Sequence, residues 1–219
     1  MQSRPGRLGP TTDPGGSLAT YFTKSEARTA ARTATITKSQ FVKASAQILK
    51  EDRQATRDSE SFDVFLSHSI TDADLVLGVK RLLEARGLKV YVDWDTDTHL
   101  NRSTVDSETA ELLRRRMRQS ASLIYLATEA ASTSKWMPWE LGYFDGLRSG
   151  QVAVMPLMDN ENDKFSGQEY LGLYPKITKD TYQNTTQKDV FVEGQGRWTT
   201  LREFNDGKPS WRSYATSAK

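Results

Sequence analysis

Residues 61–93 read SFDVFLSHSITDADLVLGVKRLLEARGLKVYVD, and within them one periodicity gives way to another and then returns. Residues 62–66 form a short apolar run that ends in small polar residues, the pattern of a buried strand. Leu75, Val76, Val79, Leu82 and Leu83 then recur at helical spacing, Gly87 closes the helix as a C-cap residue, and LKVYVD is a second strand. A strand, a crossover helix and a strand in this order join two parallel neighbours.

The unit repeats toward the C-terminus. A polar loop, WDTDTHLNRSTVD, leads into a helix over 107–118. The strand SLIYLAT, the loop EAASTS, a helix starting near Lys135 and the strand VAVMPL follow. Near-continuous apolar strands separated by helices imply a parallel sheet covered on both faces. The expected fold is therefore α/β, a doubly wound sheet of about five parallel strands. VFVEG, from Val190, is the expected fifth strand; 168–173 carries a weak helical signal, and 198–211 fits either a last helix or a closing hairpin. In such sheets ligands sit outside the carboxyl ends of the strands, which singles out the loops 67–72, 93–106 and 129–134.

The first part of the chain has a different texture. Residues 1–17 hold three Pro and four Gly and read as disordered. Residues 18–58 turn to Ala, Thr, Lys, Arg and Gln, with Tyr21, Phe22, Phe41, Val42, Ile48 and Leu49 as sparse anchors, and read as a basic helical extension that docks on something or pairs with another copy. The domain proper is expected over 61–219. Residues 1–50 carry eight Lys or Arg against two acids, so a formal charge of +2 divides into +6 for this part and −4 for the rest. Evenly spread charge on a helix is a solvated face, and nucleic acid is not an expected partner.

Composition removes several chemistries. With no cysteine in 219 residues there is no disulfide, thiolate metal site or cysteine nucleophile. The two histidines, His68 and His99, lie without a further ligand at metal spacing, so no metal is expected. No apolar run approaches the roughly 18 residues of a membrane span, and the start has no signal-peptide core, so the expectation is a cytoplasmic protein with no membrane contact. What remains are carboxylates, hydroxyls and backbone groups.

The candidate carboxylate lies in TSKWMPWELGYFDGLRSG, residues 133–150. Ser132 or Ser134 can cap the helix, and Pro138 falls in its first turn, where a missing N–H costs no intrahelical bond. Trp136 and Glu140, four apart, share one face, while Trp139 and Tyr143 share a neighbouring one. A carboxylate beside an aromatic face suits a ribosyl compound, the acid taking sugar hydroxyls or opposing an oxocarbenium ion. A packed helix, with Trp136 in the core and Glu140 paired to a cation such as Lys135, uses the same spacing. Gly142 and Gly146 lie inside the helix and form no phosphate loop.

FDVFLSHS, the strand KVYVD with its polar loop, and SxxxWMPWEL occur in order, and together they resemble a bacterial Toll/interleukin-1 receptor (TIR) domain over about residues 61–157. The resemblance implies a flavodoxin-like fold and an NAD-cleaving activity in which the acid of the W-x-x-x-E pattern, Glu140, is catalytic. Trp136, His68, Ser67, Asp93 and Trp94 become candidate substrate-binding residues, and 94–106 corresponds to the loop that gates the cleft and mediates self-association. NAD is then substrate, no cofactor is needed, and NAD depletion in bacterial defence is the implied role. Two other readings stand beside it: a non-catalytic module that assembles with other TIR surfaces, its arginines at 114, 115, 116 and 118 as contact groups, and an enzyme like the nucleoside deoxyribosyltransferases.

Overall fold

The computed structural model describes residues 20–32, 37–94, 107–182, 186–207 and 209–214. The expected disorder of 1–17, and the expected gating by the loop after Trp94, lie outside these residues. Five parallel strands form the heart of a single sheet in the order β3 (Val90–Tyr91), β2 (Phe62–Ser67), β4 (Ser120–Ala127), β5 (Val152–Met158), β6 (Lys176–Thr181). Three antiparallel strands extend it: β7 (Lys188–Gly194), β8 (Arg197–Thr200) and β9 (Arg212–Ser213).

The fifth parallel strand is thus KITKDT and not VFVEG, which pairs antiparallel to it as β7. KITKDT reads as polar because only Ile177 and Thr178 are fully buried along it. Its place in the sheet comes from β-branched residues and from two neighbours, not from an apolar run. The last segment is both of the anticipated alternatives in part. β8 leads into a short helix, α6 (Leu201–Asn205), and the chain then returns as β9 beside β8.

One face of the sheet is covered by α3 (Ala73–Glu84) and α6, the other by α4 (Ser107–Arg118) and α5 (Trp136–Leu147). At the end of α3, Gly87 has φ of 80°, Leu88 N–H reaches Leu83 O and Gly87 N–H reaches Glu84 O, the paired bonds of a Schellman close. α3 is itself covered: α1 (Lys24–Ala31) and α2 (Lys38–Ala55) pack outside it, so Ala27, Ala31, Phe41 and Leu49 join its core cluster. The apolar anchors of the basic extension are therefore spent inside this chain. The approach is close enough that a Cβ on Gly78 would stand 1.9 Å from Ala27 O.

The extension also enters the sheet. A two-residue strand, β1 (Phe22–Thr23), pairs parallel with Leu157 and Met158, while Thr20 exchanges backbone hydrogen bonds with Lys179 at 3.1 and 2.7 Å. Ladder pairing between β5 and β6 is confined to Val154 and Lys176. Residues 20–23 fill the gap that opens beyond this contact, toward the carboxyl ends, and satisfy backbone groups the two strands leave there.

Candidate active site

The carboxyl ends of β2, β3, β4 and β5 share one edge, and α5 brings Glu140 to it. Ser134 is extended, and its Oγ accepts the Met137 N–H at 3.3 Å, so it performs the cap. Met137, Leu141 and Phe144 fix the helix to the sheet as fully buried members of its core. Trp139 stacks on Tyr143 at 5.7 Å and lies under the Arg114 guanidinium at 5.4 Å, so these rings join α5 to its surroundings on the α4 side. The packed-helix reading holds for them.

Glu140 has another role. It is 5% exposed, and Ser67, the last residue of β2, donates its hydroxyl to Oε2 at 2.5 Å. A buried carboxylate needs such donors, since burial without them costs several kcal/mol. Trp136, one turn earlier and 6% exposed, stands edge-on to Trp139 at 5.4 Å. Trp136 is a member of the core cluster under α5, as the packed-helix alternative has it, while the Glu140 carboxylate is bonded to Ser67 across the sheet edge.

His68 follows Ser67 directly. Its Nδ1 lies 2.9 Å from the Leu66 carbonyl, which can only accept, so in a neutral ring the proton sits on Nδ1 and Nε2 is the acceptor. The ring stacks on Trp94 at 5.2 Å with 13° between planes, both side chains being buried. Of these residues Ser67 bonds to Glu140; the His68–Trp94 stack adjoins it through the chain, with Trp94 in the core cluster on the α3 face of the sheet and Glu140 on the α5 helix of the other. Asp93 differs: its Oδ1 accepts from Arg53 Nε of α2 at 2.9 Å and from the Tyr91 hydroxyl at 3.1 Å. Those bonds give it a structural task, tying the end of β3 to the N-terminal helices.

Two residues at this edge were not found from the sequence. Tyr125 of β4 is in register with Ser67 and on the same face. Burial, then the hydrogen bond and charge of Tyr170, then the negative charge of Glu140 push its ionisation well above the usual phenol range. Its hydroxyl donates to Gln168 Oε1 at 3.4 Å. Thr128, just after β4, donates to Asp72 at 2.5 Å and so binds the loop after β4 to the loop after β2. Burial raises the Asp72 carboxyl, and the Thr128 bond opposes that rise. The signal for Tyr125 was a polar ring at the end of a strand whose other positions are aliphatic, and it is read only once the register beside Ser67 is known.

The described residues hold no cluster of three or more His, Cys, Asp or Glu side chains arranged for a metal, and no helix among them is long and apolar enough to cross a membrane. A five-stranded parallel core with helices on both faces is the flavodoxin-like architecture of the TIR domain. The model of that family, described as TIR domain, matches residues 64–187, and the chain belongs to it. Over 163 residues, 74% of this chain and 84% of the relative, it is 44% identical to a Bacillus cereus (strain MSX-D12) protein named "Probable 3' cyclic ADP-D-ribose synthase ThsB'". Over 107 residues, 48% of this chain and 28% of the relative, it is 27% identical to a Cytobacillus dafuensis protein named "Putative cyclic ADP-D-ribose synthase TIR2".

Proposed function

We propose that this chain cleaves NAD at the nicotinamide–ribose bond and closes the remaining ADP-ribose into a cyclic isomer, with Glu140 as the catalytic carboxylate. The observation that carries the reading is the buried Ser67–Glu140 pair at the carboxyl edge of the sheet. The names of the two relatives, both cyclic ADP-D-ribose synthases, support the product class.

In the reaction, the C1–N bond between ribose and the nicotinamide ring breaks and its electron pair stays on the ring nitrogen. The pyridinium thereby leaves as neutral nicotinamide and needs no acid to protonate it. The ribosyl carbon becomes oxocarbenium-like, and the Glu140 carboxylate, fixed by Ser67, opposes that charge or holds the ribose hydroxyls. A fixed carboxylate in a dry site acts more strongly on such a cation than one in water. A hydroxyl or ring nitrogen of the adenosine half then attacks and gives the cyclic product; attack by water gives linear ADP-ribose. Trp136, one turn before Glu140, and His68, directly after Ser67 and stacked on Trp94, are the aromatic groups this reading assigns to the ribosyl and nicotinamide ends. NAD is consumed as substrate and no cofactor takes part.

We place this activity in the cytoplasm and in bacterial antiviral defence, by NAD depletion or by signalling through the cyclic product. Self-association through TIR surfaces belongs to the same proposal. The test incubates concentrated protein with NAD and resolves the products. Nicotinamide together with a cyclic ADP-ribose isomer is expected. Assembled protein that releases no nicotinamide overturns the reading in favour of an interaction module, and base exchange on deoxynucleosides would point to a deoxyribosyltransferase.

A further inference from the structure

A separate cavity of about 590 Å³ opens on the same edge of the sheet, at the carboxyl ends of β4 and β5. This is within the range of small-molecule sites, about 300–1,000 Å³. Its wall includes Tyr125, which is in register with Ser67, while Glu140 itself is not part of the lining. Across the sheet the order is Ser67 under Glu140, then Tyr125 in register beside Ser67, then β5 with the cavity over its end. One side chain therefore separates the carboxylate from the cavity.

The rest of the lining has the chemistry of a nucleoside site. Phe165 offers a ring, held edge-on by Tyr21 at 6.4 Å. Gln168 has its carbonyl fixed by the Tyr170 hydroxyl at 2.5 Å and the Tyr125 hydroxyl at 3.4 Å. Its amide nitrogen donates to the Ser132 carbonyl at 3.4 Å. An amide nitrogen has two hydrogens, so one is left for the edge of a base. Asp159 supplies a carboxylate of the kind that holds a ribose diol, and Lys24, from the N-terminal extension, binds it at 3.1 Å. The nearby charges are mixed in sign, which suits a neutral nucleoside better than a phosphate.

We propose that this cavity takes the adenosine half of NAD and so favours ring closure over hydrolysis. The inference rests on the NAD-cleaving reading above. Ring closure requires the adenosine half to fold back on the ribosyl carbon from which nicotinamide has left. A cavity one side chain away from Glu140 holds it there within a single chain. The C–N bond has by then broken and its electron pair has left with nicotinamide; an adenosine hydroxyl adds to the oxocarbenium-like carbon, forming the new C–O bond, and the hydroxyl proton passes to Glu140 or solvent. With the cavity blocked, water takes that place and ADP-ribose accumulates.

Ser132 is exposed and lines the cavity, so Ser132→Phe fills it with little demand on folding. Two readouts are made. Adenosine is titrated onto the full chain carrying Glu140→Gln, with and without Ser132→Phe; the second change is expected to weaken binding at least tenfold. The product ratio is then compared between the parent and Ser132→Phe alone, where the cyclic fraction is expected to fall about tenfold relative to ADP-ribose. Adenosine that does not bind, or binds equally to both proteins, overturns the inference, as does an unchanged product ratio with nicotinamide still released. A parent that releases no nicotinamide overturns the NAD-cleaving reading itself and this inference with it.

Discussion

The two halves of the sheet are built on opposite terms. From β3 to β5 the strands are parallel and almost wholly buried, and their carboxyl ends collect on one edge where loops and helix starts converge. From β6 onward each strand pairs antiparallel with the next, many positions are only partly buried, and polar side chains tie the region together: Thr178 and Tyr214 to Glu193, and Arg212 of β9 to Glu203 of α6. An antiparallel order alternates strand ends and gathers no common edge. The parallel half carries the site, and the antiparallel half braces it.

The N-terminal extension sharpens this contrast, because it attaches to the parallel half and its last neighbour. α1 and α2 cover α3, and residues 20–23 enter the sheet between β5 and β6. Gly78→Ala forces a methyl group into the Ala27 carbonyl and is expected to cost about 3 kcal/mol, since an overpacked backbone contact cannot be relieved by a side-chain rotation. A urea midpoint measures it. A midpoint equal to the parent's would mean that the extension is not fastened to the domain as described.

Arg53→Met removes the cation from a carboxylate that is itself buried, while the Tyr91 hydroxyl remains on Asp93. A loss of about 2 kcal/mol is expected, less than for a fully buried ion pair because Arg53 is partly open to water. The same denaturation experiment reads it. An unaltered stability would deny Asp93 its structural task and return it to the candidate substrate contacts.

The smallest effect belongs to the antiparallel half. Arg212 meets Glu203 through two parallel bonds of 2.6 and 2.7 Å, and the guanidinium, more than the capping bonds from Thr200, holds the Glu203 carboxyl at about 2 instead of its ordinary 4.5. A carboxyl lowered in the folded state contributes its full stability above pH 4.5 and loses it as pH falls toward 2. Because the pair is open to solvent, about 1 kcal/mol is expected. Arg212→Met should remove that part of the acid dependence in a pH series of melting temperatures and leave nicotinamide release in place. Loss of release on this substitution would break the division of labour between the halves.

What could be read from the sequence follows the same line. FDVFLS, SLIYLA and VAVMPL announce themselves as strands because both faces are buried, and the loops after them stand out because ligands gather at the carboxyl ends of parallel strands. Trp136 and Glu140 were legible because helical spacing and position after a parallel strand agreed. KITKDT was not, since its partners supply the strand character that its own residues lack. β1 escaped for a related reason: two residues in a sheet leave no periodicity, and their partners lie more than 130 positions away. Tyr125 and the cavity beyond it depend on register, which no local pattern encodes. Asp93 became a candidate substrate contact through the resemblance, whereas its bond to Arg53 comes from a helix 40 residues earlier that the resemblance does not cover.

If the Glu140 charge acts on the ribosyl cation, Glu140→Gln removes that action, because glutamine keeps the size and the oxygen that can accept from Ser67 while losing the charge. Nicotinamide release from NAD, followed at equal concentrations of folded parent and variant, is expected to fall by about a hundredfold to a thousandfold. Release by the variant at the parent's rate would contradict the account and place the chemistry on another residue.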